Sequence, residues 1–336
     1  MSKYVSPSIK MVEMIKNCTT PFKLNSKPGD LVLILTDTSM DPVVWESIAA
    51  AASQVGCRVN VMVMPPTEFH QAEPTTPIAE AMKHADICIL GTSKAIGHSA
   101  AVNSVYWDKK VIYMEEVNSH ILTTGGATLS ADEYREMYKL GERVKARWDK
   151  GTEVHVTSDL GTDLKARIYN GPRGRKTHND SAICPDPPLR RIAAFPAGES
   201  ACGPEPGSGE GVVVWDTTFH LGLLKEPIKL TIKKGVVTEI QGGSQADQLK
   251  AYLKEHGDEN AYTCPGEIAV GLNHKVTQSN LTGLVRTDKK LYGSVHIAMG
   301  KNDGILDSKL HIDGIIGKPT VKVDGVTIVD KGKIIA

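Results

Sequence analysis

The chain has 336 residues, of which 40% are apolar and 23% are charged, a balance typical of a soluble globular protein with two domains. Lys plus Arg and Asp plus Glu each number 39, so no basic excess favours binding to nucleic acid or to an anionic membrane surface. No apolar run is long enough to cross a bilayer and the N-terminus lacks a signal-peptide pattern, so we expect a cytoplasmic protein with reduced cysteines.

Strand and helix patterns alternate along residues 1–150. The predicted strands are 30–37, 58–65, 86–94 and 109–116, and the predicted helices between them are 42–56 and 77–85. This alternation implies a parallel sheet with right-handed crossovers. We therefore predict a Rossmann-like α/β domain over residues 1–150, although the glycine-rich fingerprints of nucleotide-binding loops are absent from the sequence.

A long helix is predicted over residues 130–151. Ser130 is suited to the N-cap position, and Glu133 three residues later completes a capping box. The helix is predicted to end at Gly151, and we place the domain boundary there.

Residues 151–336 are predicted to form a mostly β domain. Turn residues separate short segments with strand patterns, and one clear helix is predicted over 245–257. Residues 171–211 are rich in Gly and Pro and are predicted to be a loop. Loops of that length in a compact domain usually have a functional role, here the wall of a substrate cleft.

His311 and Asp313 stand two residues apart in the predicted strand "KLHIDGIIG". Residues i and i+2 of a strand point to the same face, so the two side chains project together among apolar neighbours. A buried carboxylate must be paired or must coordinate a metal. The pattern favours a metal site, and the alternative is a His–Asp hydrogen bond facing solvent on an edge strand.

Three further polar residues occur in similar settings in the second half of the chain. Glu267 stands in the apolar segment "CPGEIAVGLN", His296 lies in the predicted strand "GSVHIAMG", and Glu199 follows a turn in "FPAGES". Taken singly, the histidine is typical of a hydrogen-bonded core residue and Glu199 of an exposed loop residue.

Together these residues offer three carboxylates and two imidazoles, a donor set suited to Zn²⁺, Mn²⁺, Co²⁺ or Fe²⁺. Three carboxylates are more than one catalytic zinc usually takes, so we expect two divalent ions per chain, about 3.5–4 Å apart. The predicted fold is thus α/β, with an N-terminal parallel-sheet domain followed by a mostly β domain that carries the metal site.

Seven segments along nearly the whole chain resemble, in order, the blocks of the leucyl aminopeptidase superfamily of the aminopeptidase T type. They are "GTDL" (161–164), "FPAGES" (195–200), "GVVVWD" (211–216), "EPIKLTIKKGVVTEIQGG" (226–243), "GEIAVGLN" (266–273), "HIAMG" (296–300) and "HIDGIIGKPTVKVDG" (311–325).

This resemblance implies two divalent ions held by the five residues at the matching positions, namely Glu199, Glu267, His296, His311 and Asp313. The aminopeptidases also have a tyrosine at their site, seven residues after the histidine of the His-Ile-Ala block. This chain has Asp303 at that position. The resemblance further implies a homo-oligomer, a dimer or larger.

A second branch of the superfamily, the 2,5-dihydroxypyridine 5,6-dioxygenases, is also similar. The resemblance implies one Fe²⁺ on two histidines and an aspartate, of which His311 and Asp313 match two. The third ligand would be a histidine where this chain has Glu267. Both branches have a His-Ser/Thr pair that matches His98, which either contacts the substrate or simply starts a helix.

Three hypotheses follow. The favoured one is a hydrolase that cleaves a peptide-like or cyclic amide bond in a small substrate through a metal-activated water, with Glu199 or Asp303 as general base and His98 at the substrate. The alternative is a mononuclear Fe²⁺ dioxygenase that opens a hydroxypyridine-type N-heterocyclic ring. The third is a binding protein without enzymatic activity that has no metal when purified.

Overall fold

The computed structural model describes residues 7–172, 174, 176–302 and 304–336, which form two compact units. The first unit contains the chain up to Tyr138 together with Asp180–Ala197, and the second contains Lys139–Asn179 and Gly198–Ala336. The predicted boundary at residue 150 differs from this division because the chain passes between the units three times, first inside the long helix.

The helices are α1 (Pro7–Asn25), α2 (Pro42–Gln54), α3 (Thr76–Met82), α4 (Ala100–Val105), α5 (Ser119–Thr123), α6 (Ala131–Lys150), α7 (Ser244–His256) and α8 (Val285–Asp288). Short 3₁₀ helices occupy Gly125–Thr128, Glu259–Tyr262 and Gln278–Asn280. Every helix in the described ranges is too short or too polar to traverse a lipid bilayer.

The strands of the first unit are β1 (Leu31–Asp37), β2 (Arg58–Met64), β3 (Ile87–Gly91), β4 (Lys110–Tyr113) and β8 (Ile192–Ala194). They form a parallel sheet in the order β2-β1-β3-β4-β8. The apolar side chains of β1 and β3 are buried on both faces, as expected for a parallel sheet covered by helices. The predicted N-terminal parallel sheet is therefore confirmed.

The capping box at the start of α6 is also confirmed. The Ser130 amide donates to the Glu133 carboxylate at 2.8 Å, and the Glu133 amide donates to the Ser130 hydroxyl at 3.2 Å. Each side chain thus satisfies a backbone N–H group that the helix itself leaves without a partner.

The strands of the second unit are β5 (Glu153–Thr157), β6 (Asp163–Arg167), β7 (Thr177–Asp180), β9 (Glu199–Cys202), β10 (Glu210–Trp215), β11 (Thr218–Phe219), β12 (Gly222–Leu223), β13 (Ile228–Lys233), β14 (Val236–Gln241), β15 (Glu267–Gly271), β16 (Val295–Asn302), β17 (Leu306–Ile316), β18 (Thr320–Val323), β19 (Val326–Asp330) and β20 (Lys333–Ile334). One sheet has the order β14-β13-β10-β6-β5-β18-β19-β20, and the other has the order β12-β11-β17-β16-β15-β9-β7. The mostly β second half is confirmed.

Residues 171–211 are not the continuous loop that their Gly and Pro content predicted. They contain β7 and β9 of the second unit and β8, which extends the parallel sheet of the first unit beside β4. These strands are three or four residues long, too short for their periodicity to stand out against the surrounding turn residues.

The two sheets of the second unit pack against each other where Trp215 of β10 covers Gly314 of β17. A Cβ atom at position 314 would lie 1.9 Å from the indole ring, and Trp215 is completely buried. Glycine at this position lets the two sheets approach closely, beside Asp313 on the opposite face of the same strand.

Candidate metal centre

All five predicted ligands lie on one face of the seven-stranded sheet. Glu267 of β15 is paired with Ala298 of β16, and Ala298 is paired with Asp313 of β17. Residues opposite each other in antiparallel strands share a face, so Glu267 and Asp313 project together across a small alanine. His311 and His296 reach the same face because each is two residues from a member of this row.

Small residues keep this face open around the ligands. Glu199 of β9 is paired with Gly271, and His296 is paired with Ala269. Two strands have the same pattern, Glu-Ile-Ala-Val-Gly in β15 and His-Ile-Ala-Met-Gly in β16. In each, the predicted ligand, the alanine and the glycine lie on one face, and the two larger apolar residues lie on the other. The larger residues, Ile268, Val270, Ile297 and Met299, are completely buried.

Among the described residues, Glu267, His311 and Asp313 bring three potential ligand atoms close together. One ligand atom from each of these residues lies within 4.8 Å of the other two. His311 Nε2 is 3.1 Å from Asp313 Oδ1 and 3.3 Å from Glu267 Oε2. The three donors therefore surround a single point.

The backbone fixes the orientation of the His311 ring. A β-bulge between Gly300 and Asn302 brings the Lys301 carbonyl to 2.8 Å from His311 Nδ1. A carbonyl only accepts, so Nδ1 must have the proton and Nε2 faces the carboxylates. A backbone hydrogen bond from the second ring nitrogen is typical of histidines that bind metals through the first.

Glu199 and His296 form a second pair of donors beside the first three. His296 Nε2 is 3.7 Å from Glu199 Oε2, and the His296 side chain has no exposed surface. Within the described part of the chain, neither nitrogen of His296 nor Glu199 Oε2 has a hydrogen-bond partner. Buried polar atoms normally have partners, so these three atoms point to a ligand.

Two lysines that the sequence analysis did not consider reach into this group. Lys289 Nζ donates to Asp313 Oδ2 at 3.0 Å and lies 3.8 Å from Glu199 Oε2. Lys290 Nζ is 2.8 Å from Glu199 Oε1, and its side chain is only 3% exposed. A pair of adjacent lysines in "TDKKLYG" is more typical of a solvated surface turn, and no local sequence signal indicates their burial.

The short helix α8 holds both lysines in place. Asp288, its last residue, is buried and accepts hydrogen bonds from the Thr218 hydroxyl at 2.9 Å, the Thr282 amide at 2.8 Å and the Gly283 amide at 2.9 Å. These bonds anchor the turn that carries Lys289 and Lys290 to the sheet.

His178 of β7 is a further residue that sequence reasoning missed, because it lies in the segment predicted to be a loop. Its Nε2 atom is 3.7 Å from Glu267 Oε1 and 4.0 Å from Glu199 Oε1. About half of the side chain, 49%, is exposed, so His178 lies at the solvent edge of the group.

The electrostatics of the group keep the carboxylates ionised despite their burial. Burial alone would raise their pKa values, but the Lys289 ammonium and the neighbouring imidazoles outweigh it, together with Lys290 at Glu199. The pKa of Glu267 falls to about 2, and those of Glu199 and Asp313 lie well below their usual range. Burial lowers the pKa of His296, whereas Asp313 and Glu267 outweigh burial and raise that of His311.

These residues fit a divalent metal ion. Glu267, His311 and Asp313 offer oxygen and nitrogen donors around one point, and divalent ions such as Fe²⁺, Mn²⁺ and Zn²⁺ accept this donor set. The atoms without partners on Glu199 and His296 lie next to them. That any of the five residues is a metal ligand stays a prediction.

The geometry of this group does not test the roles predicted for His98 and Asp303. His98 is an exposed residue of the first unit, in the turn before α4, where its amide donates to the Gln71 side chain at 2.7 Å. Asp303 lies outside the described residues. The roles predicted for both therefore stay predictions.

The sequence profile of the 2,5-dihydroxypyridine 5,6-dioxygenase (NicX) family matches residues 13–336. This chain belongs to the NicX family. A 2,5-dihydroxypyridine 5,6-dioxygenase from Pseudomonas putida KT2440 is 24% identical to it over 196 residues. The matched region spans about half of each protein, 54% of this chain and 54% of that relative.

Two solved structures share the fold of this NicX family member. The 2,5-dihydroxypyridine dioxygenase of Pseudomonas putida KT2440 superposes with a TM-score of 0.80 at 18% identity, over 99% of both chains. Wild-type AmpT from Thermus thermophilus superposes with a TM-score of 0.68 at 15% identity, over 97% of this chain and 99% of that one. The predicted superfamily, with its dioxygenase-like branch, is confirmed.

We expect Asp313→Asn to lower the affinity for divalent metal by more than about 10-fold, because the amide keeps the shape of the side chain but loses its charge. Metal content after anaerobic purification, measured by plasma mass spectrometry, checks this. Asp307→Asn is the control, since Asp307 lies on the same strand but is exposed. Equal metal content in Asp313→Asn and wild type would remove Asp313 from the metal site.

We expect Ala298→Leu to abolish metal binding without altering any ligand, because the larger side chain would stand between Glu267 and Asp313. Met299→Leu is the control on the opposite, core-facing side of the strand, and volume-conserving core changes are usually tolerated. Circular dichroism measures whether the variant is folded, and mass spectrometry measures its metal content. A folded Ala298→Leu protein with full metal content would contradict the arrangement described for this face.

Proposed function

We propose that this protein is a single-metal, Fe²⁺-dependent dioxygenase that opens the ring of a hydroxylated N-heteroaromatic substrate. The observation that supports it most directly is the group of Glu267, His311 and Asp313, which surrounds one point in a member of the NicX family. Membership of the NicX family favours ring opening over the amide hydrolysis that the sequence pattern favours.

The donor set supports a non-haem iron site. Two histidines and one carboxylate with open coordination positions characterise many such oxygenases. Here the three ligands would be one histidine and two carboxylates, so an oxygen donor replaces one of the two nitrogen donors. Fe²⁺ held by Glu267, His311 and Asp313 would supply the redox chemistry that dioxygen needs.

The charge around the site supports an anionic substrate. Three carboxylates face the ammonium groups of Lys289 and Lys290, so one divalent ion brings the group to a single net positive charge with neutral histidines. An ionised ring hydroxyl would neutralise that charge. Lys289 and Lys290 thus favour the ionised substrate and hold it by charge.

The position of His178 supports a role in proton transfer. Its Nε2 atom lies near Glu267 and Glu199, while half of the ring is exposed to solvent. An imidazole can accept a proton at one ring nitrogen and donate one from the other. His178 can therefore accept a proton from a ring hydroxyl and pass it to solvent.

Glu267 favours a second candidate, a metal-dependent amide hydrolase. The resemblance to the dioxygenases places a histidine at this position, whereas the aminopeptidases have a glutamate there. Glu199 and His296 also lie beside the first three donors, as a second ion would require. A metal-activated water is the nucleophile in such hydrolases.

Oxygen consumption separates the two candidates. With anaerobically loaded Fe²⁺ and 2,5-dihydroxypyridine, we expect one O₂ to be consumed for each ring opened, because both oxygen atoms enter the product. The matched assay contains Mn²⁺, Co²⁺ or Zn²⁺ with dipeptide amides and cyclic amides under anaerobic conditions. Amide cleavage without oxygen, together with no oxygen uptake on hydroxypyridines, would contradict the dioxygenase proposal.

A further inference from the structure

Lys289 lies between the two sets of predicted ligands. One set is Glu267, His311 and Asp313, and the other is Glu199 and His296. The Lys289 ammonium is 3.0 Å from Asp313 Oδ2 and 3.8 Å from Glu199 Oε2. Asp313 faces His311 with its other oxygen, Oδ1, at 3.1 Å. Asp313 would therefore hold the proposed ion with one oxygen while its other oxygen accepts from the Lys289 ammonium, in the way that a carboxylate bridges two cations.

The Lys289 ammonium lies beside two residues predicted to be metal ligands, Glu199 and His296. Glu199 Oε2 and His296 Nε2 are 3.7 Å apart and have no hydrogen-bond partner among the residues that the structure describes. Two donors with bonds of about 2.1 Å to one tetrahedral ion lie roughly 3.4 Å from each other. Glu199 and His296 thus have nearly the spacing of two ligands, yet the cation beside them belongs to a lysine.

Charge counting argues against a second ion while Lys289 is present. Glu199, Glu267 and Asp313 contribute three negative charges, and Lys289 and Lys290 contribute two positive ones. One divalent ion leaves a net charge of plus one. A second ion would raise it to plus three in a largely buried site, where unpaired charge is costly.

We propose that the Lys289 ammonium takes the place of a second divalent ion, so that the chain binds one ion where Glu199 and His296 would otherwise complete a two-ion site. The inference rests on the metal site of the proposed function, but it holds for either reaction class. It makes Lys289 the residue that decides how many ions the site holds.

The experiment titrates metal-free protein with Mn²⁺ and counts bound ions by equilibrium dialysis and mass spectrometry. We expect one ion per chain in the wild type and two in Lys289→Met, which keeps the length of the side chain but not its charge. Lys289→Arg should stay at one ion. Lys290→Met should also stay at one ion, because it removes an equal charge while Lys289 still fills the position.

Each outcome bears on a separate claim. Two ions in the wild type, one ion in a folded Lys289→Met protein, or two ions in Lys290→Met would each overturn the role of Lys289. No bound ion in the wild type would overturn the metal site of the proposed function itself. If Lys289→Met does not fold, electron paramagnetic resonance of Mn²⁺-loaded wild type decides: isolated Mn²⁺ supports the inference, and a spin-coupled pair overturns it.

Discussion

Three carboxylates lie close together on one face of a sheet, Glu199 and Asp313 buried and Glu267 partly buried, and the rest of this site depends on that constraint. An unpaired buried carboxylate costs several kcal/mol, and like charges at short distance add to that cost. The protein offsets it with cations brought from elsewhere in the chain, Lys289 and Lys290 at the end of α8. With the two ammonium groups, the three carboxylates have a net charge of minus one. A divalent ion neutralises this charge and brings the group to plus one.

Strand pairing explains how a single sheet can be both a core and a reaction surface. On one face, alanine and glycine alternate with the ligands, so that the side chains of Glu267 and Asp313 meet across Ala298. On the other face, large apolar residues are completely buried, and Trp215 packs on Gly314 one residue after Asp313. The rigid packing of that face fixes the ligands, which a flexible loop would not do.

Much of the fold could be predicted from local pattern. The strands β1 to β4 are apolar runs separated by helical segments, and the capping box at Ser130 appears in the structure as expected. The alternation of period two also placed His311 and Asp313 on one face. What local pattern does not encode is which distant segment a strand pairs with, so the addition of β8 to the first sheet could not be seen.

The candidate site was predictable where a polar residue interrupts an apolar strand, as Glu267 and His296 do. It was not predictable for Lys289, Lys290 and His178, whose neighbours in the sequence are polar and typical of surface turns. Their proximity to the carboxylates arises only from tertiary structure. Asp288 anchors α8 and with it the two lysines, whereas His178 is placed by the position of β7 beside β9 in the seven-stranded sheet. The number of divalent ions that the site binds therefore depends, in our proposal, on a lysine, a residue type that a search for metal ligands does not select.

Anomalous diffraction from crystals of the wild-type protein loaded with Fe²⁺ or Mn²⁺ without oxygen tests this account most directly. We expect one anomalous peak, between Glu267, His311 and Asp313, with the Lys289 ammonium beside Glu199 and His296. Two peaks, one of them ligated by Glu199 and His296 with Lys289 displaced, would contradict it.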